Sequence, residues 1–377
     1  MVESLALELD AVALLALPDG ALALWSEPAG LFGRRLDPDG TPRARTRRIG
    51  RRCGGGFSAI GSTGEVHVAC LDAGSEASHP ASAPIPPRLR WHRLDGQGRL
   101  VASRVVAPVG PLSQGVAIAA PLAKTRDGAE PEPWVVWQDA SAAAQIAWAT
   151  HLTASDLAPP VRLSAVGRAA GHPAVVVDRR GPFAVWPETY LEDGEPRGEL
   201  VGVALGADAD PPGGGSGAVR LASRRRILLR VHHDASRPQL LHGPVAGRVL
   251  AFRDRRRKGQ RTGLFLAALS EAGRIPEAVR VARADGDARP ALCACGGRLF
   301  AATPRTYAGD YFVGLNVVAR DLSRAAPEQQ FYEDAHAFSK AAAACVGGRP
   351  LLLIGERARL SQTRSRLRAV PILCDLN

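Results

Sequence analysis

The densest run of like charge in this chain is Arg253, Arg255, Arg256, Arg257, Lys258 and Arg261, interrupted only by Asp254 among its charged neighbours. Guanidinium forks match the oxygens of carboxylates, sulfates and phosphates, so such a run points to capture of an acidic partner. Its net charge is +5, whereas Glu188, Glu192, Asp193, Glu195 and Glu199 against Arg197 give −4 in an upstream stretch. Arg305, Arg357, Arg359 and Arg364 add positive charge downstream, and Arg51 and Arg52 add it near the start. The candidate binding residues are therefore Arg253, Arg255, Arg256, Arg257, Lys258, Arg261, Arg305, Arg357 and Arg359, with no catalytic residue among them.

Other chemistry finds less support. His232-His233-Asp234 is the densest set of metal-ligand types, but neighbours in a strand point to opposite faces and a metal site needs further partners. Asp208 and Asp210 in a Gly/Pro-rich stretch lack the regular oxygen spacing of a calcium loop. Neither a metal nor another cofactor is expected. Six cysteines do not make a disulfide framework in a chain of 377 residues. Cys293 and Cys295 would share one face of a strand roughly 6.5 to 7 Å apart, at the edge of bridging reach. Buried, inert thiols are the expectation. No G-x-S-x-G elbow, phosphate loop, HExxH or EF-hand loop occurs.

Bulk composition speaks in the same direction but weakly. The net charge of +11 and pI near 10.1 suit a polyanion. Yet lysine occurs only at Lys124, Lys258 and Lys340, so almost all the positive charge is arginine in an Ala- and Gly-rich chain. A GC-rich coding sequence gives that profile whatever the function. Glu8 and Asp10 interrupt the first apolar stretch, no basic region precedes it, and no run of 18 apolar residues exists. The expectations are a cytoplasmic protein and no membrane-spanning helix.

Those charges are held by a repeat. A strand ending in a large apolar residue with an acid two positions later recurs at Trp25-Ser26-Glu27, Cys70-Leu71-Asp72, Trp137-Gln138-Asp139, Trp186-Pro187-Glu188, Phe252-Arg253-Asp254 and Ile354-Gly355-Glu356. A degenerate copy stands at Ala301-Ala302-Thr303-Pro304. The separations are 45, 67, 49, 66, 50 and 52 residues, a period of roughly 50 with insertions. Gly-containing turns precede the marker at Leu17-Pro18-Asp19-Gly20, Cys295-Gly296-Gly297 and Val346-Gly347-Gly348, and follow it at Asp37-Pro38-Asp39-Gly40 and Asp95-Gly96-Gln97-Gly98. Four short antiparallel strands per period make one propeller blade.

This organisation resembles bacterial β-propellers. The resemblance implies an all-β, seven-bladed ring with blades at 11–50, 56–108, 113–165, 170–223, 236–284, 289–333 and 337–376. Blade seven lacks a clear fourth strand, which Leu5–Leu9 is placed to supply, closing the ring and removing an open sheet edge. Arg224–Asp234 reads equally as a fourth strand or an insertion. The Gly-His/Trp-Asp pair of WD40 blades, the kelch Gly-Gly doublet and the sialidase Asp-box are missing.

On such a disc the basic and acidic runs fall on one loop face. The expected function is a non-enzymatic interaction scaffold for a protein or acidic partner. A glycan-binding or glycan-hydrolysing propeller would instead gather Glu188, Tyr190 and Trp134 at the central mouth. A nucleic-acid-binding propeller would join the arginine-rich loops to exposed aromatics.

Overall fold

A computed structural model describes residues 2–3, 9–62, 64–72, 74, 86–121, 132–153, 157–207, 219–231, 236–242, 247–255, 262–270, 274–283, 289–307, 310–323, 327–332, 336–358 and 365–372. The described residues form seven antiparallel sheets, each a blade. Their innermost full strands are Ala11–Leu17, Phe57–Gly61, Val116–Ala119, Ala174–Asp178, Ser236–His242, Ala291–Cys295 and His336–Val346. Each is followed by the marker strand, which pairs with it and, outside the degenerate sixth blade, carries the marker apolar residue.

Why the strands stack into a ring follows from what the markers bury. Trp25, Trp137 and Trp186 are at most 2% exposed. Each reaches back to the preceding blade: Trp25 packs with Leu351 and Leu353, Trp137 with Ala69 and Leu71, and Trp186 with Val136 and Ala149. Phe252 does the same against Val185 and Leu200. Seven separate apolar clusters among the described residues occupy the seven seams between neighbouring blades. Burial on both faces explains the near-continuous apolar runs of the marker strands.

Ring closure takes the expected form with a different register. Val2–Glu3 pairs antiparallel with Ser365–Pro371, Val2 opposite Leu367 and Glu3 opposite Arg366, as fourth strand of blade seven. Residues 5–8 of the expected Leu5–Leu9 segment lie outside the described residues, and Leu9 is buried at the seam of blades seven and one. The ambiguous stretch after residue 223 also resolves. Arg226–Val231 pairs with Glu195–Ala207 and is the outer strand of blade four, while Val219–Leu221 pairs further along the same strand.

Polar groups stitch the seams where strand edges meet. Ser58 accepts from the Ile118 amide at 3.3 Å, and the Gln138 side chain donates to the Ala170 carbonyl at 2.6 Å. His242 Nε2 meets the Val177 carbonyl at 2.8 Å, and Gln239 donates to the Pro290 carbonyl at 2.6 Å. Each bond joins one blade to the next, so edges facing the ring axis are partly satisfied by neighbours.

His92 is the exception in these seams. It sits in Arg88–Asp95 of blade two, 3% exposed, against Gly50 of blade one. Among the described residues neither ring nitrogen has a hydrogen-bond partner. Burial, with Arg90 nearby, lowers its pKa from 6.5 to about 4. An unfolded histidine takes up its proton near 6.5 and the folded one only near 4, so between these values the unfolded chain binds more protons. Stability should therefore fall as pH drops through this window, by roughly 3 kcal/mol at its lower end. Replacing His92 by Leu is expected to flatten that acid limb in urea unfolding followed across the same range. An unaltered limb would assign the acid sensitivity elsewhere.

Candidate functional site

The marker acids are not the solvated loop charges that the sequence suggests. Glu27, Asp72, Glu188, Asp254 and Glu356 are all at most 5% exposed. Asp72 receives Arg90 at 3.1 Å. Asp139 accepts from the Gly110 amide at 2.7 Å. Asp72 and Asp139 thus cap side-chain and backbone donors at the ends of their marker strands, a placement that a linear charge sum cannot reveal.

The acidic stretch of blade four divides accordingly. Glu188 and Glu199 are buried among Trp186, Tyr190, Arg168 and Arg225. Arg225 Nη1 bonds both Glu188 oxygens at 2.6 and 2.5 Å, and Arg168 bonds Glu199 at 2.5 Å while lying 4.0 Å over the Tyr190 ring. The hydrogen bond to Glu199 holds the Tyr190 phenol above its ordinary pKa. Glu192, Asp193 and Glu195 remain exposed at the tip of a long hairpin. The face is thus less bipolar than expected, because two of its five carboxylates are already matched internally.

The candidate basic residues scatter in the same way. Arg253 is buried at the end of the blade-five marker strand, and Arg255 is half-buried beside Asp254, whose side chain accepts the Arg255 amide at 2.8 Å. Arg305 is 7% exposed and bidentate to Glu328 at 2.9 and 2.5 Å. Arg357 lies on Arg349–Ala358, opposite Ser365. Arg256, Arg257, Lys258, Arg261 and Arg359 lie outside the described residues, as do Arg364 and the His232-His233-Asp234 set. Among the described residues, no group of three or more metal-ligating side chains converges.

What the fold does bring together is the mouth of the central channel. All seven blades contribute the starts of their innermost strands to one cavity of about 270 Å³, on the side where the marker strands end. Asp10, His172, Arg237, Arg289 and Lys340 are its ionisable lining residues. Asp10 is held by a bidentate Arg52 at 2.8 and 2.7 Å, so its charge is matched. Arg237, Arg289 and Lys340 are the arginine and lysine residues of the lining among the described residues.

Local structure explains how they get there. His172-Pro173 and Arg289-Pro290 directly precede the inner strands of blades four and six, and Arg237-Pro238 follows the first residue of that of blade five. Proline at the start of an edge strand leaves no N–H to be stranded on the channel wall. The recurrence of a cationic or titratable residue before this proline is the signal that a search for dense charge runs overlooks. His172 lies against Gly115, where a Cβ would stand 2.6 Å from the imidazole Cγ. Glycine at that position, with φ +83°, lets the ring pass.

Arg289 carries the electrostatics. Its side chain reaches channel water yet stands deep among protein atoms, and desolvation, with Arg237 adding repulsion, lowers its pKa from 12.5 to about 10. It remains charged at neutral pH. It forms no ion pair among the described residues.

No family model and no curated protein matches this chain. In fold it is similar to the polysaccharide lyase Uly1, at 10% identity over 98% of this chain and 91% of that one, with a TM-score of 0.52. It is also similar to the Cps50 (Swd1) β-propeller domain of Myceliophteria thermophila, at 11% identity over 96% and 97% of the two chains and a TM-score of 0.48. A sialidase of Trypanosoma rangeli matches at 9% identity and a TM-score of 0.45, and this chain spans 53% of its length. At 10% identity the likeness to Uly1 is one of fold alone.

Proposed function

We propose that this protein is a binding propeller that captures an acidic partner on the face where its marker strands end, around the channel mouth. The observation that carries this reading is Arg289, a cation without an ion-pair partner among the described residues, set beside Arg237 in a cavity that also contains Lys340. Two guanidinium groups held side by side repel each other, and an incoming anion offsets that repulsion. The proposed site lies inward of the blade-five run, whose undescribed members Arg256, Arg257, Lys258 and Arg261 remain candidates for a peripheral basic collar that speeds encounter.

Binding rather than catalysis fits the lining. Among the described lining residues the carboxylate, Asp10, is committed to Arg52, and Glu188 with the half-buried Tyr190 belongs to the ion-pair network of blade four. A glycan remains the second reading, favoured by the likeness to a polysaccharide lyase, and it enters the same test as one ligand arm.

The experiment titrates the protein with a poly-glutamate peptide, a single-stranded oligonucleotide and a uronate polysaccharide at two ionic strengths. Replacing Arg237 and Lys340 together by Ser is expected to weaken the preferred ligand about tenfold or more and to reduce the salt slope. Equal binding by parent and double variant would move the site off the mouth. The ligand arm that saturates at lowest concentration names the partner class.

A further inference from the structure

Resting on the reading above, we propose that the mouth is an end-on site for one small oxyanion group, a carboxylate, sulfate or phosphate that enters from the marker face and stops at Arg289. Three observations carry it. Arg289 lines both the mouth and a second cavity of about 280 Å³ beneath it, so it stands at the boundary any entering group must meet. The mouth cavity, about 270 Å³, is of the size of a small-ligand pocket.

The third observation is backbone strain at the second cation. Arg237 has φ +59°, the left-handed region, directly before a proline, where a register shift between Ser236 and Gln239 breaks the pairing with the marker strand. Left-handed backbone is unfavourable for an arginine, and a following proline restricts it further. The bulge aims this residue at the mouth rather than along the blade. Strain held at the wall of a cavity beside an uncompensated cation points to a ligand role for the strained side chain.

In this arrangement Arg289 and Arg237 donate hydrogen bonds to the oxyanion, and Lys340 adds charge from the opposite side of the blade-six start. Guanidinium forks read planar carboxylates and tetrahedral sulfates or phosphates alike, so the shared chemistry is a small oxyanion. Its source is either a free small molecule or the acidic group at the end of a longer ligand.

Sulfate, phosphate and glucuronate are the probes, each measured by calorimetry against sodium chloride at matched ionic strength. One saturable site per chain is expected for at least one of them, weakened about tenfold or more in Arg289→Ser, as for loss of a charge-assisted pair. Arg283→Ser, on the outer strand of blade five, removes the same charge away from the mouth and should bind like the parent. Arg237→Gly distinguishes a ligand role from a structural one. Glycine tolerates the backbone angle, so the variant should fold and unfold cooperatively like the parent while small-anion binding weakens.

Two results would overturn the inference. Small anions that bind Arg289→Ser as tightly as the parent place the site elsewhere. Binding of acidic polymers through the mouth with no measurable small-anion site removes end-on insertion while leaving the acidic-partner reading intact. If neither small nor polymeric anions bind, both fall together.

Discussion

Replacing Glu188 by Ala is expected to destabilise the protein by about 3–5 kcal/mol, the cost of removing one partner from a buried ion pair. Glu188 is fully buried and accepts from Arg225 Nη1 at 2.6 and 2.5 Å, from Trp186 Nε1 at 2.9 Å and from the Ala165 amide at 3.2 Å. Arg168 approaches it at 3.6 Å as well. The variant leaves Arg225 without its carboxylate, leaves Arg168 with Glu199 alone, and strands an indole N–H and a backbone N–H. A neutral replacement of both ends of the main contact, Glu188→Leu with Arg225→Leu, should recover part of the loss, because it removes the uncompensated charge rather than creating it. Urea unfolding of the parent, the single variant and the double variant provides the measurement. A single variant as stable as the parent would mean that the network has little bearing on how blade four packs.

The contrast between this network and the channel mouth shows how far the chain could be read from its residues alone. The repeat was legible because each blade must bury a large side chain against its predecessor at one fixed strand position. Trp25, Trp137 and Trp186 therefore recur with the period of the fold. Closure by an N-terminal strand was legible too, since blade seven visibly lacked an element. The site was not legible as a run of charge. Arg305 and Glu328 are brought together by strand pairing, as are Glu188 and Arg225, and pairing cancels charges that a sequence sum leaves standing. Arg237, Arg289 and Lys340 lie far apart along the chain, and only the convergence of inner-strand starts on one axis makes them neighbours.

The same convergence governs the cysteines, and here the sequence expectation is corrected. Where the sequence suggests buried, inert thiols, four of the six cysteines are bridged instead. Cys295 is joined to Cys345 across a separation of 50 residues, and Cys53 to Cys70 across 17. Cys293 is buried and unbridged. The reason is geometric: residues two apart in one strand hold their side chains at the limit of reach, whereas Cα atoms on the adjacent inner strands of blades six and seven stand 5.2 Å apart.

Loss of the Cys295–Cys345 bridge should accordingly be the most costly change at the ring's last seam. Closing a loop of that length in the unfolded chain is worth about 4 kcal/mol by chain entropy, and the shorter Cys53–Cys70 loop about 3 kcal/mol. The longer bridge ties together the innermost strands of blades six and seven, next to the seam that the N-terminal pair must complete. Cys295→Ser with Cys345→Ser is thus expected to melt below Cys53→Ser with Cys70→Ser, and both below the parent. Adding reductant should lower the parent's melting temperature and leave a variant with all four replacements unmoved. If the four-fold variant also shifted, reductant would be acting on something other than these bridges. Because disulfides persist mainly in oxidising compartments, the thiol state of protein alkylated directly in its native cells also tests the cytoplasmic expectation: reduced cysteines there would support the cytoplasm, and two bridges would place the chain outside it.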